Sequence, residues 1–103
     1  MDICTGKLKP EMSRIALIGI IVENKESAAG INDLLHEYGN YIVGRMGIPY
    51  RERKLSVISV IMDAPGDVIS SLSGKLGMLD GVNVKTVYSK NVFSNDDTPE
   101  GEV

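Results

Sequence analysis

A chain of 103 residues makes one domain, and a domain of that size buries only about 60 to 70% of the surface its unfolded form exposes. Its 43% hydrophobic and 24% charged residues exclude a disordered protein, and its net charge of −3 argues against a dedicated nucleic-acid binder. One cysteine, Cys4, excludes an intramolecular disulfide, and no apolar run approaches the ~18 residues of a membrane helix, so a cytoplasmic protein is expected.

Residues 1–13 are polar and broken by Gly6 and Pro10, which predicts a flexible N-terminal arm. The folded unit is expected over 14–90. "RIALIGIIVE" (14–23) is isoleucine-rich and bounded by charges, as a buried strand is. In "SAAGINDLLHEYG", Ala28, Ile31, Leu35 and Tyr38 recur at helical spacing, and Gly39 suits a left-handed C-cap. "NYIVGRM" (40–46) returns to strand chemistry, with Gly44 marking a bulge or a close backbone approach. "GIPYRER" (47–53) is expected to turn the chain, since Pro49 cannot donate to a ladder and Gly47 tolerates positive φ.

"KLSVISVIMD" (54–63) predicts the third strand. Pro65 fits the first turn of a second helix whose inner face is Val68, Ile69, Leu72, Leu76 and Leu79. Gly81 opens the exit into the last strand, "GVNVKTVYSK". The end of the chain, 91–103, carries Asp96, Asp97, Glu100 and Glu102 without a cation and reads as an acidic, solvated tail.

The order βαββαβ predicts a ferredoxin-like α+β sandwich: an antiparallel sheet in the order 4-1-3-2 with both helices on one face. The two central strands of such a sheet should alternate apolar with polar. They do not. The first offers Ile15, Leu17 and Ile21 on one side and Ile18, Ile20 and Val22 on the other; the third sets Val57 and Ile61 against Ile58 and Val60. Six or more such side chains left in water would forgo about 10–20 kcal/mol, at about 1.5 to 3 each, against an association cost of about 4–15. A homo-oligomer, dimer or tetramer, paired through the open sheet face follows, its parity left open among Ile15, Leu17, Ile18, Ile20, Ile21, Val57, Ile58, Val60 and Ile61. The competing reading is a monomer whose arm or tail covers the sheet.

Arg45, Arg51, Arg53 and Lys54 against Glu52 give the hairpin a local +3 and leave −6 elsewhere. Arginine's planar fork suits a small anionic ligand or a partner's carboxylate, whereas the plain alternative is a charged hairpin guarding an edge strand. "SGKLG" (73–77) is not a nucleotide loop: the glycine spacing is wrong and Leu76 stands where a hydroxyl residue is needed. Lys75 near a helix end is expected to meet free carbonyls. His36, the only histidine, is placed toward solvent or an interface; with Cys4 it shows no metal-ligand spacing. No metal, cofactor or catalytic constellation is expected, and a site assembled between subunits has no candidate substrate.

"IVGRMGIPYRER", "SVISVIMD" and "SGKLGMLDGVNVKT" together resemble the iron-only hydrogenase system regulator family, small proteins related to ACT domains and to the ligand-binding domain of nickel-responsive repressors. The resemblance covers about 14–90. It implies an ACT-like, non-enzymatic regulatory module of a hydrogenase system, sensing a small ligand or contacting a partner. A DNA-binding transcriptional regulator using the symmetric basic hairpin is the alternative. The matching motif positions are Gly44, Arg45, Met46, Gly47, Pro49, Arg51, Arg53, Gly74, Lys75 and Gly77; all but Pro49 are the candidate ligand- or partner-binding residues, with no role assigned. Two features depart from the relatives: the turn "ENKES" lacks the glycine typical of amino-acid-binding ACT domains, and the repressors' histidine-rich metal site and DNA-binding segment are missing.

Overall fold

Strand β1 (Arg14–Val22) lies between β3 (Leu55–Ala64) and β4 (Val82–Tyr88), and β2 (Ile42–Tyr50) closes the other edge, all antiparallel, in the order β2-β3-β1-β4. This is the expected 4-1-3-2 order read from the other edge. Helices α1 (Ala28–Glu37) and α2 (Gly66–Gly77) complete a ferredoxin-like fold. The coordinates come from a computed structural model, which describes residues 13–90; the arm before Ser13, with Cys4, and the acidic tail lie outside that range.

Burial settles the parity of the central strands. Ala16, Ile18, Ile20 and Val22 face the helices with Val60, Met62 and Ala64, all buried, and Ile31, Leu35, Ile69, Leu72 and Leu76 descend on them from α1 and α2. Ile18, Ile20 and Val60 therefore leave the set that could form the open face, because the two helices already hide them. Ile58 also packs on this core, and Ile15 is only half-buried. On the other face the ladder aligns Leu17 with Ile61 and Val87, and Ile21 with Val57. All five are more than a third exposed, Leu17 at 44% and Ile61 at 40%.

Three local expectations change. The second strand runs on to Tyr50, so Gly47 and Pro49 are extended and pair with Ile58 and Ser56. An edge strand tolerates proline because its outward positions need no donor. The turn is shorter, a 3-10 turn at Arg51–Arg53 closed by Lys54 at φ 56° and ψ 43°, so a lysine and not Gly47 holds the left-handed conformation. Gly39 does not either: α1 ends at Glu37, with Tyr38 as its C-cap, and passes into a 3-10 turn over Gly39–Tyr41. Ala28, expected on the inner stripe of α1, is exposed at its first turn. The register shift between Ile42 and Gly44 is the bulge that Gly44 announced.

Gly81, at φ +70°, is the glycine whose conformation the fold requires. A Cβ there would lie 2.7 Å from Asn24 Cβ and 2.9 Å from Asn24 N. The close approach lets Glu23 N–H donate to Gly81 O (2.7 Å), Asn24 Nδ2 to Asp80 Oδ2 (2.7 Å) and Ser27 Oγ to Asp80 O (2.6 Å). Asn24 also caps the turn Lys25–Ser27, accepting from Glu26 N–H. The exit of β1 and the entry of β4 are tied at one corner.

Candidate functional site

Strand β2 carries most of the motif "IVGRMGIPYRER" and serves two surfaces. Arg45, Gly47 and Pro49 alternate onto the helix side, opposite Val60, Ile58 and Ser56. Met46, Ile48 and Tyr50 alternate onto the open side and are exposed. Since Gly47 has no side chain and Pro49 a short one, the helix side of the hairpin stays shallow beyond Ile58. A cleft of about 870 Å³ opens there, between the hairpin, the first turn of α1 and the segment Glu23–Lys25.

Val22, Ala28, Ile31, Pro49, Leu55 and Ile58 give the cleft an apolar floor, and Asn24, Asn32 and Ser56 add amide and hydroxyl groups. Its rim holds Lys25, Arg51 and Lys54 with Glu23 as the lone acid. Among the described residues no carboxylate pairs with these cations; the hairpin's own Glu52 instead accepts from the Tyr50 hydroxyl at 3.1 Å. Gathering three cations costs Coulomb energy that the one acid, Glu23, offsets only in part. Lys54 adds backbone strain, about 1 kcal/mol for a non-glycine residue in the left-handed region. Lys54→Gly is therefore expected to raise unfolding free energy by about 0.5–1 kcal/mol, visible in urea denaturation, while Lys54→Ala, which sheds the charge but keeps the strain, gains less.

Asn32 also borders a second, shallower hollow with His36, Glu37 and Arg45, where the Arg45 guanidinium donates to Asn32 Oδ1 at 3.1 Å. The four hairpin cations thus do not form one basic surface. Arg45 belongs to this second hollow, Arg51 and Lys54 to the first cleft, and Arg53 is exposed in the turn. The other half of the predicted set lies apart, on α2. Gly74 and Gly77 meet nothing within 4 Å where a Cβ would stand. Lys75 reaches across to α1, 5.3 Å from the Tyr38 ring centre and 4.0 Å from Glu37, instead of capping carbonyls as expected. Tyr38 shares a 2.9 Å hydrogen bond with Ser71. That bond, and then the Lys75 ammonium, hold the Tyr38 phenol below its usual range, and Tyr38 in turn raises Lys75. These groups are at the surface and stitch the two helices together.

Sequence reasoning missed Lys25, Asn24 and Asn32. The signal was topological: Val22 pairs with Ser56, so the turn after β1 must lie beside the turn before β3. Among the described residues no three His, Cys, Asp or Glu side chains gather where they could hold a metal ion, and no helix is long and apolar enough to cross a membrane.

Residues 14–86 match the profile of a family described as "TM1266-like: Iron-only hydrogenase system regulator, putative". The chain belongs to this family. A solved member-like structure, that of uncharacterized protein TM1266 from Thermotoga maritima, is 37% identical, with a TM-score of 0.73 over 76% of this chain and 99% of that one. No curated protein matches. The matched span runs from the start of β1 into β4, so it includes both clefts and, apart from Val87, the open sheet face.

Proposed function

We propose that the protein is a non-enzymatic regulator of an iron-only hydrogenase system that works as a homo-oligomer paired through its open sheet face. The carrying observation is that face. Leu17, Ile21, Val57, Ile61 and Val87 join Met46, Ile48 and Tyr50 of the edge strand in a patch across all four strands. A solvated antiparallel sheet normally shows polar residues there.

The patch has relief that suits a second copy. Two ridges, Ile48–Val57–Ile21 and Ile61–Leu17–Val87, flank a lower row in which Met46 and Lys85 end a stretch of Ser59 and Gly19. A side chain from a facing sheet can settle over Gly19, where a Cβ would find nothing nearer than Lys85 O at 3.9 Å. The family's description as a regulator supports the non-enzymatic half. Native mass spectrometry at roughly 10 μM protein is expected to give a dimer or a multiple of it; a monomer would defeat the reading.

A further inference from the structure

We propose that the cleft between the Glu23–Lys25 turn and the β2–β3 hairpin binds a small organic anion, a carboxylate or phosphate ester attached to an apolar body. The inference rests on the regulatory reading above and names the ligand class of that regulator. Three observations carry it.

First, the charge is gathered and unanswered. Lys25, Arg51 and Lys54 come from two separate loops to one rim, in a chain of net charge −3, and among the described residues none of them has an ion-pair partner. Glu23 alone opposes them, leaving a local excess of two positive charges. An anion is the species that relieves this arrangement, and Arg51 can grip it with a planar fork. Second, the lysine at position 54 occupies a left-handed backbone position where glycine or asparagine would cost less. Strain retained where it places a cation at a cleft mouth points to a use for that cation. Third, beneath the cations the floor is apolar, built from Val22, Ala28, Ile31 and Ile58, which a bare inorganic ion would not use. The volume of about 870 Å³ falls within the ~300–1,000 Å³ of small-molecule sites, which argues for a metabolite-sized ligand over a protein surface.

The cleft opens on the helix side of the sheet, whereas the pairing patch is on the other side, so each can be tested alone. The probe is phenyl phosphate, titrated into the full-length ¹⁵N-labelled protein, with inorganic phosphate and benzyl alcohol as controls for the head and the body. Saturable shifts are expected at the backbone amides of Asn24, Lys25, Lys54 and Ser56. Each control should bind at least about tenfold more weakly. Arg51→Gln/Lys54→Gly should weaken phenyl phosphate by about tenfold or more, and because Lys54→Gly relieves strain, the variant should melt no lower than the wild type. Stationary cleft amides, equal binding of inorganic phosphate, or undiminished binding by the double variant each overturn the proposal. The titration is repeated on Ile61→Asp. Loss of binding in wild type and Ile61→Asp alike refutes the anion site and leaves the assembly reading standing; binding retained in a protein that proves monomeric does the reverse.

Discussion

Ile61→Asp is expected to convert the assembly to folded monomers. On the isolated chain Ile61 is already 40% exposed in the middle of the open face, so a carboxylate there meets water and costs the fold little. In a face-to-face pair it would be buried without a counter-ion. A two-fold axis counts every substitution twice, so losing about 1.5 to 3 kcal/mol of apolar burial per copy already removes about 3–6 kcal/mol, before any charge is desolvated. At about 1.4 kcal/mol per decade, the dimer weakens by at least roughly 100-fold. Native mass spectrometry should show the monomer while circular dichroism and melting stay near wild type. An unchanged oligomer would place the interface elsewhere. Val84, on the helix side of β4, packs against the core, and the same charge there should unfold the chain instead.

Gly81→Ala is expected to cost about 2 to 4 kcal/mol of stability. The left-handed backbone accounts for about 1 kcal/mol. The remainder comes from the methyl group, whose carbon would stand 2.7 Å from Asn24 Cβ and 2.9 Å from its backbone nitrogen. Neither is the loose end of a side chain, so β1's exit must move and the 2.7 Å bond from Glu23 N–H to Gly81 O stretches with it. At roughly 4–8 °C per kcal/mol in a domain of this size, thermal denaturation reads the loss easily. Asn24 and Lys25 line the cleft, so the same variant should loosen anion binding, whereas Gly74→Ala, with open space around its Cβ, should stabilise α2 by about 1 kcal/mol. A loss below ~1 kcal/mol in Gly81→Ala would show that the corner yields without strain.

Alternation made most of the fold readable. β1 and β3 are apolar on both sides and β4 on one, which orders the strands, and Ile31, Leu35, Ile69, Leu72 and Leu76 repeat at helical spacing over the face they bury. Parity was not readable, because Ile18 and Ile21 are the same residue type, and only the packing of α1 and α2 tells them apart. The turn was misplaced because Gly47 and Pro49 are turn formers by composition. Here they are edge-strand residues, where a proline lacks no needed donor and a glycine keeps the cleft open. Lys54 gave no composition signal for its left-handed backbone. Of the predicted site, the hairpin arginines were named but not their sharing between two hollows, since the side of β2 that Arg45 occupies depends on the bulge at Gly44, and Arg51 and Arg53 lie in the turn beyond the strand. Lys25 stayed hidden until pairing of Val22 with Ser56 put its loop next to the hairpin.

The bulge and Pro49 have one more outcome, at the edge of the sheet. A β2 rim interrupted by an extra residue at one end and by a missing N–H at the other is a poor template for another strand. If copies meet broadside as proposed, each covers the other's greasy patch and β2 offers a third copy no ready edge, so growth along that rim would stop and not run on into a filament.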